Sequence, residues 1–365
     1  MSLSFVISAL TALIALALAL ALFDQWRDRR HAYQLIWGIG AAWYAIAAGA
    51  QALAALGGWN DPLYRTWYLV GAMWAPAWLG LGTAFLLGRT RFGYAFALCL
   101  FLAGLFTFLT FQKFPAIYHD VAGAAVIYFI AAGILALVVA VETYFANERW
   151  PTLALAAVVG ASVVSLALMI TATLPAPGWK VDPNTGTPVA DLFPPALRLL
   201  TPFMNVTGGF ALILGALFSA YVFMPKRRVL AYSLDPEQTG DQFLFNLLIS
   251  PVAITVNFVA SLPGAIRALL AGRIHSRVPA TILIAIGGFI PAVSDSLNRF
   301  GVIEFSSLGL LLGIVFIFLG FLVSVEVFRE VRVPFTGVVL RGGRRERAGA
   351  DGLVTAADPS FSGKA

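Results

Sequence analysis

The sequence predicts an all-α fold: a polytopic membrane bundle of about nine transmembrane helices, with an interfacial or re-entrant helical hairpin on its inner face. Three observations carry this. The chain of 365 residues is 60% hydrophobic and only 12% charged, whereas a water-soluble domain carries roughly 25% charged residues. Apolar runs of about 18–25 residues recur along it, each long enough to cross a hydrocarbon core of roughly 30 Å. The basic residues cluster in alternate connections between those runs. Inside lipid each backbone N–H and C=O needs an internal partner, so the runs must be helices.

In order, the expected spans are 3–23, 34–56, 66–88, 94–112, 120–145, 151–173, 201–224, 278–298 and 303–328. The first resembles a secretory signal in length, but Arg27, Arg29 and Arg30 follow it rather than precede it. It therefore reads as a retained span with its N-terminus outside. Alternation from that start leaves only Arg65, Lys113, Lys180, Arg198 and Arg299 of the 24 basic residues on the outer side. The positive-inside rule then places the protein in a plasma or inner membrane with a cytoplasmic C-terminus.

The stretch 243–266 is apolar enough to span. Crossing would carry Arg267, Arg273, Arg277 and the basic tail outside, against the charge rule, so an inner-face hairpin is expected there. Pro251 and Pro263 suggest two short helices. The resulting organisation is a seven-helix unit, 1–224, with a long outer loop at 174–200 that holds six prolines. An inner-face hairpin follows at 225–277, then two more spans at 278–330 and a basic, irregular tail at 331–365. Arg65 and Arg198 open two spans of the same direction, and Leu81-Gly82 matches Leu214-Gly215 at the same offset, a faint sign of a repeat.

No Asp, Glu, Lys or Arg falls near the middle of an expected span, which counts against a proton pump or carboxylate-coupled exchange. The same absence of lysine excludes a retinal Schiff base. One cysteine, Cys99, allows no intrachain disulfide and no thiolate cluster. His31, His119 and His275 fall at helix ends or in loops, which argues against haem held between spans. The cofactor stays unknown. Phosphate-binding loops, dinucleotide fingerprints, nucleophile elbows and zinc-protease motifs are absent from the sequence. No nucleic-acid partner is expected.

The candidate ligand-binding residues lie on four spans. Trp67, Trp74 and Trp78 sit at spacings of seven and four, so an α-helix would align them on one face around Pro76, a wall for an apolar or cationic ligand. Gln51 in the second span and Asn205 in the seventh are polar groups suited to a ligand or to a neighbouring helix. The second span also carries small residues, Gly38, Ala42, Ala45 and Gly49, suited to close helix packing. Ser294, Asp295, Asn298 and Arg299 end the eighth span, where Asp295 and Arg299 are four apart and share a helix face. Outer-side Tyr118, His119, Asp120, Asp182 and Asp191 have the chemistry of a metal or acid–base site but no ligand spacing. Glu142 and Glu326 fall near inner helix ends.

The leading expectation is a non-enzymatic membrane protein that binds or moves a largely apolar or neutral small molecule or lipid, gated by the proline-rich loop. A structural or assembly subunit of a membrane complex is the second reading, and an intramembrane lipid-modifying enzyme the third. The basic inner face is expected to meet anionic lipid of the bilayer.

Overall fold

A computed structural model describes residues 2–113, 122–145, 149–182, 188–299, 305–324, 331–332, 334 and 339–341. The fold is an all-helical bundle built from α1 (Leu3–Arg29), α2 (Ala32–Gly57), α3 (Asp61–Leu86), α4 (Gly93–Lys113), α5 (Ala122–Tyr144), α6 (Trp150–Thr171), α7 (Pro195–Phe223), α8 (Phe243–Leu270), α9 (Arg277–Arg299) and α10 (Phe305–Val323). Nine helices among the described residues, α1 to α9, are long and apolar enough to cross a membrane by length and composition. α10 is shorter but packs along the whole of α9. The chain is a polytopic membrane helical bundle.

The bundle has two distinct ends. The connections after α1, α3, α5 and α7 carry the basic residues and define the basic end. The connections after α2 and α6 meet at the other, the cap end.

α7 is the central helix and packs against α3, α4, α6 and α9. Its crossing with α3 is close enough for the two backbones to touch. A Cβ on Gly80 would lie 2.6 Å from the Gly208 Cα, and one on Gly208 would lie 2.6 Å from the Ala77 Cα. Only glycine allows two backbones to approach this far, and in lipid such approach is a main source of helix association. α9 and α10 repeat the device at Gly287 and Gly313, where an added Cβ on Gly287 would sit 2.6 Å from the Gly313 carbonyl oxygen. The glycine spacing of Gly309, Gly313 and Gly320 thus has a packing role, against Ser294, Pro291 and Ala280 of α9. The α1–α2 side closes on the same core: the Trp37 ring lies 4.7 Å from that of Phe321, and its indole N–H donates to the Leu79 carbonyl at 3.0 Å.

α3 begins five residues earlier than expected and is not uniform. Residues Trp67–Trp74 form a π-helical segment that ends just before Pro76. Proline has no N–H for the carbonyl four residues back, here that of Ala72. The Asn205 side-chain amide donates to this oxygen at 2.8 Å. Beside it, the Tyr68 and Thr201 hydroxyls lie 2.6 Å apart. The neighbouring helix therefore repairs the backbone that the proline interrupts.

The expected two-helix hairpin at 243–266 is corrected: α8 is one continuous helix of 28 residues. The Ser250 hydroxyl donates to the Leu247 carbonyl at 2.8 Å, the acceptor that Pro251 leaves without its N–H. At about 42 Å, α8 is longer than a hydrocarbon core is thick, and its contacts fix its direction relative to the bundle. Near its start, Phe243 meets Tyr94 at the beginning of α4 and Tyr144 at the end of α5, with ring centroids 5.8 and 5.0 Å apart. Toward its end, Ala265 packs with Tyr221 and Met224 at the close of α7 and with Val278 at the start of α9. Both halves meet the basic end, so α8 lies across it.

Little of the tail lies among the described residues. Val331–Arg332 pairs antiparallel with Val339–Arg341, where β-branched valines favour extended backbone.

Two adjacent glycines of α7 test the crossing. Gly208→Ala is expected to destabilise the protein by about 1–3 kcal/mol through overpacking. Gly209→Ala, where an added Cβ meets nothing within 4 Å, should leave thermal stability in detergent unchanged or slightly raised. Equal melting temperatures for the two variants would contradict the crossing.

Candidate functional site

Among the described residues of the cap end, aromatic side chains pack closely. Pro194 and Pro195 start α7, and the residue before a proline prefers extended backbone. Phe193 accordingly has φ −74° and ψ 143°. Its ring stacks between Tyr64 and Tyr68, with centroids 4.7 and 4.3 Å away. Trp59 and Trp67 extend this stack. The Tyr64 hydroxyl donates to the Val189 carbonyl, and the Arg65 guanidinium donates to the Met169 carbonyl. Arg65 is also paired with Asp61 at 2.8 Å, so it caps the α6 C-terminus while remaining neutralised. Lys180 and Asp191 face each other at 3.3 Å on the surface. The proline-rich loop is thus a packed plug over α3, α6 and α7.

Below the plug, Trp74 lies against Trp43, with centroids 4.9 Å apart, and its indole N–H donates to the Ser165 hydroxyl at 3.0 Å. One turn further, between α3, α4, α5, α6 and α7, is a cavity of ≈ 20 Å³. Ala77, Phe96, Leu100, Ala154, Met204, Thr207 and Gly208 form its buried floor. Leu135, Ala157, Val158 and Phe203 are half-buried and form its rim. α5 touches α6 only lightly, and α6 leans mainly on α3 and α7. The one polar lining group is the Thr207 hydroxyl, which is buried without a hydrogen-bond partner. A trapped water needs some 10–15 Å³ and two to four polar partners. The space is sufficient and the partners are not, so the cavity suits a methyl or methylene group better than water.

The expected site residues are dispersed by the fold. Trp67 belongs to the aromatic plug and Trp74 to the layer with Trp43. Trp78 packs on the cluster around the cavity, with its indole N–H buried and unpartnered. Asn205 is engaged in the repair of α3. Gln51 is half-buried on α2, a helix that does not line the cavity. Ser294 is buried against Gly309, and its hydroxyl donates to the Ile290 carbonyl at 2.9 Å. Asp295, Asn298 and Arg299 close α9 with side chains outside the described residues, as are Tyr118, His119, Asp120 and Glu326. Glu142 sits at the basic end of α5, where its Oε2 is buried without a hydrogen-bond partner. Among the described residues no three His, Cys, Asp or Glu side chains converge as metal ligands.

Sequence reasoning missed the cavity residues because nearly all are apolar. The one available sign is that small residues, Ala77, Ala154, Ala157 and Gly208, face one another where larger ones would fill the space. No protein-family model, curated protein or solved structure matches the chain.

Asn205→Leu removes the donor to the Ala72 carbonyl while keeping similar bulk. It should lower stability by about 1–2 kcal/mol, measured by denaturant unfolding in mild detergent, and increase hydrogen exchange in the 67–76 segment. Unchanged exchange there would show that α3 holds its shape without α7.

Proposed function

We propose that this protein seats the methyl end of an apolar chain, of a lipid or of a similarly neutral molecule, in the cavity between α3, α4, α5, α6 and α7. The carrying observation is a space walled by apolar side chains from five helices, with half-buried rim residues and a single hydroxyl that has nothing to bond. Each methylene transferred from water contributes about 0.8 kcal/mol. A chain already in the bilayer gains far less, so selectivity must come from fit. Approach from the membrane between α5 and α6 agrees with the light contact of those helices.

Binding is favoured over passage. The Tyr64–Phe193–Tyr68 stack packs the cap end over α3 and α7, and the described spans offer no run of charged side chains for a polar path. The basic end faces the cytoplasm in this reading, by the positive-inside rule. Trp74 and Asn205 act as positioning residues: one fixes α6 to α3, the other fixes the π-helical segment of α3 that precedes Ala77.

Native mass spectrometry of protein extracted gently from its own membrane tests the reading. A reproducible lipid or hydrocarbon adduct is expected. Ala157→Phe, a rim substitution that fills the mouth, should remove it, whereas Thr207→Val, which keeps the shape and deletes the hydroxyl, should retain it. An adduct that survives Ala157→Phe, or one lost only with Thr207→Val, would contradict an apolar site here.

A further inference from the structure

α8 carries an inference independent of the cavity. Its buried positions are Phe243, Ser250, Ala253, Asn257, Ser261 and Ala265, a stripe rich in polar and small residues. Its outward face is large and apolar: Leu244, Leu248 and Leu270 are 70%, 79% and 83% exposed. A helix in water would turn these faces the other way.

The polar stripe has a specific partner, the chain between α7 and α8. The Arg227 N–H donates to the Ser261 hydroxyl at 2.8 Å. The Val229 and Leu230 N–H groups donate to Asn257 Oδ1 at 2.7 and 2.9 Å, and Asn257 returns a bond to the Leu230 carbonyl at 2.8 Å. The Ser233 N–H donates to Asn246 Oδ1 at 3.2 Å. The order is antiparallel. The six steps from 227 to 233 reach at most about 20 Å, and the fifteen helical steps from 246 to 261 cover about 22 Å. The strap therefore runs beside α8 with its backbone satisfied by it.

Charge is distributed unevenly along this unit. Lys226, Arg227 and Arg228 open the strap beside the α8 C-terminus, where Arg267 and Arg273 are also exposed. The acidic residues Asp235, Glu237 and Asp241 precede the other terminus, and Asp235 is paired with Arg91 at 3.5 Å. Burial, followed by the hydrogen bond to Tyr221, pushes the Tyr232 phenol above its usual pKa, so the strap carries no tyrosinate.

We propose that α8 and its strap are a docking surface for anionic lipid: the apolar face lies in the leaflet at the basic end, and anionic headgroups gather at its C-terminal half. Beside its start, the end of α5 also presents exposed apolar side chains, Tyr144 and Phe145. A helix lying in the interface buries its apolar face at the boundary between headgroups and acyl chains. Each basic residue beside an anionic surface strengthens attachment about fivefold, and the five cations named here share one end.

Single cysteines placed along 244–270 of the full chain and spin-labelled, with buried Cys99 left in place, test this. Accessibility to oxygen and to an aqueous nickel chelate would be read in vesicles of phosphatidylcholine with and without phosphatidylglycerol. Oxygen accessibility is expected to oscillate with the helical period about a constant mean. Phosphatidylglycerol should deepen positions 266 and 270 but not 244 and 248. The variant carrying Lys226→Gln, Arg227→Gln and Arg228→Gln should lose that lipid dependence while retaining the oscillation, which also reports that it is folded. A steady climb in depth from 244 to 270 would mean that α8 crosses the membrane. Apolar-face labels reached by the chelate would show that no lipid covers them. Labels in native membrane shielded from both reagents would identify a protein partner instead. Equal depths with and without phosphatidylglycerol would refute the anionic preference. Any of these overturns the proposal.

Discussion

Where α3 and α7 cross, Gly80 and Gly208 bring two backbones into direct contact, and a few residues away Asn205 supplies the donor that Pro76 denies to Ala72. Inside lipid an unmatched carbonyl has no water to turn to. The π-helical segment of α3 is therefore held by α7, which comes this close because both crossing residues lack a Cβ. The π-helical segment, the orientation of Trp67 and Trp74, and the floor of the cavity follow from that pairing. Ala77, Thr207 and Gly208 line the cavity and border the crossing at once.

The same rule explains why α8 is unbroken. Ser250 satisfies the carbonyl freed by Pro251, and Asn257 and Ser261 satisfy the strap. Polar side chains in this protein are used largely to complete backbone hydrogen bonding, and the remaining surface is left to lipid. The long exposed faces of α1, α5 and α6 are what a bundle immersed in hydrocarbon presents.

Much of the architecture is legible in the sequence because two of its determinants are one-dimensional: the length of apolar runs and the side on which arginines fall. The charge rule argued for an inner-face element at 243–266, and the structure describes there a helix whose two halves meet one end of the bundle. Its continuity was not legible, since a proline signals an interruption and gives no hint that a serine beside it compensates. Asn205 likewise reads as a ligand contact until the position of Pro76 in space is known. The 133-residue offset relating Arg65 to Arg198 has a packing counterpart, because Tyr68 meets Thr201 and Ala72 meets Asn205 at the same separation. α3 and α7 run parallel and side by side. The cavity was invisible because alanine, leucine and phenylalanine at its wall look like those of any buried helix. The four polar residues at the end of the eighth span drew attention by composition alone.

The claim that the α3–α7 cavity accepts an apolar chain is tested most directly by photolabelling in the membrane with a phospholipid that carries a diazirine near the end of one acyl chain. The account predicts adducts concentrated on Leu135, Ala157, Val158 and Phe203, above those on the more exposed Leu13 of α1, which is 62% exposed. Labelling that simply follows exposure, with Leu13 favoured over the cavity rim, would contradict it.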